Sequence, residues 1–188
     1  VGGAGHSAAI LEAHPHLSVL GLDRDPAAVA VATERLARFG HRALVLHHPF
    51  DRLPDAMQIL RRFLRTTDAP ELDDEPAVAG VLLDLGVSSP QLDRGTRGFS
   101  YRNAGPLDMR MDPTSGRTAA DLVNQLDEGE LSRLIRRFGD ERHASRIARA
   151  IVASRPITTT EQLAETVRDA IPAAARRHGG HPATRTFQ

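Results

Sequence analysis

Three of the first five residues are glycine, and Gly3-Ala4-Gly5-His6-Ser7-Ala8 fits the pattern G-x-G-x-x-A. Glycine tolerates positive φ and, lacking Cβ, lets a ligand approach the backbone. A loop of this kind feeding a helix presents unpaired N–H groups to a polar or anionic ligand, and Ser7 is a candidate N-cap for that helix. Asp23 follows Gly5 by 18 residues and ends the apolar run LSVLGLD. A carboxylate there can accept hydrogen bonds from both hydroxyls of a ribose. That geometry serves NAD and S-adenosylmethionine alike, because both carry an adenosine; the bland alternative is an ordinary tight turn. His48-Pro49-Phe50 ends a second apolar run, with Phe50 placed to lie against an adenine, and Asp84 ends a third. Ligands of open α/β sheets bind outside the carboxyl ends of the strands. Three strand ends thus point to one crevice.

Other residues offer weaker chemistry. There is no cysteine, so thiol chemistry and the usual zinc frameworks are excluded. Nine histidines include His14-x-His16 and His47-His48, but no carboxylate or thiol companions accompany them, and no metal site is expected. All 24 basic residues are arginine. Residues 1–85 carry 8 Arg against 12 acids (8 − 12 = −4) and residues 86–188 carry 16 against 12 (16 − 12 = +4). A basic half suggests a polyanionic partner. Arg142, Arg146 and Arg149 fall at i, i+4 and i+7, one face of a helix, just after Arg133, Arg136 and Arg137. They are candidates for phosphate contact, against the alternative of a solvated face. Phe99 and Tyr101 are the chief candidates for base stacking. Asp108, Arg110 and Asp112 read equally well as a structural ion network.

The elements that position these residues follow from periodicity. In the first half, strands are expected at Leu17–Asp23, Arg42–His48 and Ala77–Gly86, separated by helices over "DPAAVAVATERLARFG" and around "AMQILRRFLR". Asp25 is the N-cap of the first of these helices, with Pro26 at N1. The acidic loop "TTDAPELDDEP" shows no core pattern. Alternating strand and helix argue for a parallel sheet of Rossmann type. The second half has no evident strand. Its helices begin at Thr118, at Asp127 with Glu130, and at Thr158 with Glu161. No segment approaches the ~18 apolar residues of a membrane span, and no signal peptide is visible. A cytoplasmic location is expected.

From "LLDLGVSSPQLD" onward, with "RGFSYRNAGPLDMRMDP", "RIARAIV" and the terminal "HPATRTFQ", the chain closely resembles the MraW-type family of 16S rRNA cytosine-N4 methyltransferases. The resemblance covers essentially the whole length. It implies an α/β, Rossmann-like class I methyltransferase core at residues 1–97, an inserted all-helical cap at 98–180 that recognises substrate, and a return to the core at 181–188. It implies S-adenosyl-L-methionine as cofactor. The implied acceptor is a cytidine in the decoding region of 16S rRNA within the small ribosomal subunit. Neither a membrane nor a metal is implied, and a homodimer stays open. The family's glycine-glycine-histidine contact to the cofactor falls on Ala4, Gly5 and His6, with alanine in place of the first glycine. If φ there is negative, alanine is harmless; if positive, the loop is strained.

By the same resemblance Asp23 is the ribose acid, Phe50 the adenosine-side residue, and Asp84 and Gln91 close over the methionine end. Asp84 is also the first choice for the catalytic acceptor. The family's first strand is expected just before Val1, and its last strands after Gln188. On that reading the chain is a fragment, inactive alone and a poor folder. Two alternatives remain open: an NAD-dependent oxidoreductase on the same glycine pattern, and a non-catalytic RNA-binding module.

Overall fold

The computed structural model describes residues 1–66, 78–177 and 181–188. They form two compact units, Val1–Gly86 and Val87–Gln188.

In the first unit α1 (Gly5–Ala13) leads to β1 (Val19–Asp23), α2 (Pro26–Leu36), β2 (Ala43–His47) and α3 (Leu53–Thr66). β1 and β2 pair in parallel, with Val19 opposite Ala43 and Asp23 opposite His47. Parallel strands need a long crossover, and α2 supplies it. The Asp25 carboxylate accepts the Ala27 N–H at 3.0 Å, and Pro26 fills N1, where its missing N–H costs nothing. Leu11, Leu36, Ala8, Ala32 and Ala4 form the buried core, flanked by Val19, Phe39, Ala43 and Val45. Arg42 donates to the carbonyls of Leu11, His14 and Leu17 at 3.1–3.3 Å, tying the end of α1 and the loop after it to the start of β2.

The expected third strand is corrected. Ala77 and most of the acidic loop lie outside the described residues, and Val78–Gly86 joins no ladder among them. Val78, Val81, Leu82, Leu83 and Leu85 are each more than 60% exposed. Their apolar run reads as a buried strand, but burial needs neighbours on both sides, and the run itself cannot supply them.

The second unit contains α4 (Ser89–Asp93), α5 (Ala119–Gln125), α6 (Glu128–Gly139), α7 (Ala144–Ala153) and α8 (Thr160–Ala170), with no strand among the described residues beyond one bridge between Pro106 and Thr159. Thr118 and Asp127 cap their helices as expected, and both caps are reciprocal, Thr118 with Asp121 and Asp127 with Glu130. The last cap sits one residue later than expected, at Thr159 with Gln162. Leu131 and Ile135 of α6, Ile147 and Ile151 of α7, and Leu163 and Val167 of α8 meet in one core with Leu107, Val123 and Ile157. Asn124 ties α5 to the approach to α8, accepting the Ile157 N–H at 2.9 Å and donating to the Ile157 carbonyl at 2.7 Å. Gly139 closes α6 where a Cβ would collide with the Arg185 carbonyl oxygen, so no larger residue fits without backbone movement.

The "LDMRMD" stretch is a charge network. Arg110 grips Asp108 with two hydrogen bonds, 2.8 and 2.7 Å, and this pairing holds the Asp108 carboxyl below its ordinary pKa. Arg97 crosses to the carbonyls of Arg110 and Met111. Met109, between the paired residues, has φ of 60°.

Candidate functional site

The glycine loop is shaped from three directions. The Asp23 carboxylate at the end of β1 accepts the Gly2 N–H at 2.9 Å through Oδ2 and the Asp25 N–H at 2.9 Å through Oδ1. The Val1 nitrogen donates to the Leu22 carbonyl at 2.8 Å and lies 3.2 Å from Asp23 Oδ2. Arg35, in the last turn of α2, donates to the Gly3 carbonyl at 3.0 Å. Nothing in the sequence marks Arg35 for this role, because it depends on how α2 packs over the loop.

Ala4 occupies the left-handed region, φ 58° and ψ 25°, and is buried. Of the two outcomes left open by the sequence, the strained one holds; alanine there costs on the order of 1 kcal/mol. The expected cap at Ser7 is corrected: α1 starts at Gly5, Ala4 is its N-cap residue, and no side chain caps it. Among the described residues no side chain is seen to accept from its first N–H groups. A Cβ built on Gly2, Gly3 or Gly5 would meet no atom within 4 Å, so the loop borders open space. These are the features a polar ligand needs to reach main chain.

Asp84, from the unpaired run after α3, comes to the same loop. Its Oδ2 lies 3.4 Å from His6 Nδ1, and both side chains are exposed, 68% and 73%. The third point is the end of β2. The His48 N–H donates to the Asp23 carbonyl at 2.9 Å, and two residues later Phe50 stands 56% exposed in a short 3-10 turn. Asp23, the Ala4-Gly5-His6 loop and Asp84 are thus brought together, with Phe50 following from the neighbouring strand end.

Gln91 belongs to the second unit. It is buried, and its Oε1 accepts the Ser88 N–H at 2.9 Å at the start of α4.

The arginine face is corrected in part. α7 begins at Ala144, so Arg142 precedes the helix and does not share its face with Arg146 and Arg149. Arg149 pairs with Glu128 at 3.4 Å. The aromatic candidates differ too. Phe99 is buried, and Tyr101 stacks on His181 with centroids 4.4 Å apart. Phe138, at the end of α6, is 67% exposed. Among the described residues no group of three or more His, Asp or Glu could hold a metal ion, and no helix is long and apolar enough to cross a membrane.

Comparison with known proteins gives a consistent result. Three similar proteins each carry the name ribosomal RNA small subunit methyltransferase H. That of Beutenbergia cavernae is 51% identical, that of Salinispora tropica 51% and that of Corynebacterium diphtheriae 49%, in each case over the whole of this chain. The matched region is 54%, 48% and 56% of those proteins respectively, so the chain spans about half the length of the curated relatives it matches. The model of the MraW methylase family matches residues 1–188, and on that match, joined to the relatives' identity, the chain belongs to the MraW methylase family.

Proposed function

We propose that this chain forms the cofactor site and reaction centre of an enzyme that methylates the exocyclic N4 of a cytidine in the decoding region of 16S rRNA. The observation that carries the reading is the meeting of the uncapped glycine loop, bordered by open space, with Asp23 and Asp84. The family and the relatives' names favour methyl transfer to ribosomal RNA over hydride transfer. The residues suit S-adenosylmethionine: Ala4, Gly5 and His6 offer main-chain groups, Asp23 a ribose acceptor and Phe50 an apolar face for adenine. Gln91 is assigned to the methionine end. When bound, that cofactor supplies an electrophilic sulfonium methyl group.

The chain's own contribution is orientation. The lone pair of the cytosine amine is delocalised into the ring, which makes it a poor nucleophile. An acceptor at an N4 hydrogen aligns that lone pair, and alignment is the main contribution a protein can make. Asp84 is that acceptor in this reading. The helical second unit, with its four-charge excess of arginine, is assigned to the RNA.

S-adenosylhomocysteine and NAD separate this reading from an oxidoreductase. In the full-length protein, S-adenosylhomocysteine at about 100 times its Kd should add about 2.7 kcal/mol of stability, a melting shift of several degrees. NAD at the same concentration should add nothing. A shift with NAD and none with S-adenosylhomocysteine would contradict the proposal.

A further inference from the structure

Where the turn between α6 and α7 meets the last described segment of the second unit, a cleft of about 480 Å³ opens. Arg142, Arg176, Arg185, His143 and His181 line it, against a single carboxylate, Glu141. That carboxylate is buried and already accepts the His143 N–H at 2.7 Å. Two of the guanidinium groups are held in place by main chain. Arg176 donates to the Ile171 carbonyl at 2.7 Å and the Asp169 carbonyl at 3.3 Å, with the Asp169 carboxylate 4.0 Å away. Arg185 donates to the Asp140 carbonyl at 3.2 Å. Each retains further N–H donors, and a guanidinium fixed in this way loses less freedom on meeting an oxyanion. Arg142 is exposed. His181 accepts the Ala183 N–H through Nδ1, which leaves Nε2 as its donor nitrogen. Among the ionisable side chains that line the cleft, five are arginine or histidine and one is a carboxylate, a balance that favours an anion.

Its volume and its surroundings point to a larger anion. The volume exceeds what one free phosphate fills. Phe138 lies three residues before Glu141, 67% exposed, with the Arg137 guanidinium 5.3 Å from its ring centroid. Gly139 rests against the Arg185 backbone, so this end of α6 adjoins the cleft. An exposed aromatic ring beside a channel of arginines is the combination by which proteins hold unpaired nucleotides, the ring stacking a base and the cations following the backbone.

We infer that this cleft takes the phosphodiester backbone of single-stranded RNA, with Phe138 stacking a neighbouring base. The inference rests on the RNA reading proposed above and adds where the strand is gripped. The test is fluorescence anisotropy of a fluorescein-labelled single-stranded RNA 12-mer with the full-length protein across a range of KCl concentrations. Arg142→Glu should weaken binding about tenfold or more and reduce the log–log salt slope by about 0.7 for each phosphate that the variant no longer neutralises. Phe138→Ala should weaken it about 5- to 100-fold with the slope unchanged. Both side chains are exposed, so melting temperatures should match the wild type. Arg62→Glu, an exposed charge reversal on α3, should bind normally. Wild-type affinity in either cleft variant, or an equal loss in Arg62→Glu, overturns the inference. Methyl transfer by the wild type is read in parallel: if it occurs while Arg142→Glu binds RNA normally, the cleft fails alone. If the wild type transfers no methyl group to RNA, the functional reading fails, whatever the 12-mer does.

Discussion

Asp84→Asn in the full-length protein is expected to lower methyl transfer about a hundredfold or more while its melting temperature barely moves. The size of the loss follows from the role. An acceptor that takes up or aligns a proton at the reacting group contributes about 10²- to 10⁴-fold, and asparagine keeps the volume while losing the charge. The small effect on stability follows from the environment. Asp84 is 68% exposed, and the partner it meets, His6 at 3.4 Å, is 73% exposed. Exposed pairs of this kind add little to stability. A variant that turns over normally removes Asp84 from the reaction centre. A variant that melts many degrees lower assigns it to the fold instead.

Asp23→Ala should weaken S-adenosylmethionine binding at least about tenfold, measured by calorimetry on the full-length protein. Hydrogen bonds to a charged acceptor contribute roughly 1.5–3 kcal/mol each, and tenfold in affinity is about 1.4 kcal/mol. Asp23 also shapes the loop, since it holds the N–H groups of Gly2 and Asp25. Loss of affinity alone therefore does not separate contact from positioning. A 2′-deoxyribose analogue of the ligand does. The wild type should bind it more weakly than the parent, and Asp23→Ala should bind the two equally. Discrimination that persists in Asp23→Ala would show that the ribose is held by another group.

What the sequence made legible was local. Asp25-Pro26, Thr118 and Asp127 announce helix starts because a cap is satisfied within four residues, and all three are found. Thr158 and Thr159 each have Glu or Gln three residues on, and the cap falls on the second. Ser7 misleads because the left-handed turn at Ala4 starts the helix three residues early, with no side chain at its head. That departure from the capping rule sits at the proposed cofactor loop, where free N–H groups have a use.

Long-range features were not legible. The run after residue 77 has the composition of a buried strand, but no ladder forms on it among the described residues. Neither the exposure of Phe138 nor the cleft position of Arg142 follows from spacing, because both depend on where α6 ends and α7 begins. Spacing alone places Arg142 on a helix that starts two residues too late to include it. Asp23 was legible as a strand-terminal acid and is one; Asp84 reads the same way in sequence, but no strand forms around it among the described residues. The Arg35 contact to Gly3 was not, since it joins residues 32 apart.

We propose that the full-length protein transfers a methyl group from S-adenosylmethionine to the N4 of a cytidine in small-subunit rRNA. That transfer is tested most directly by incubating the full-length protein with isotopically methyl-labelled S-adenosylmethionine and small subunits that lack the modification, then digesting the RNA and identifying the labelled nucleoside. Label is expected in N4-methylcytidine, mapping to the decoding region of 16S rRNA. Label in any other nucleoside, or none in RNA while the protein binds S-adenosylhomocysteine, would contradict the proposal.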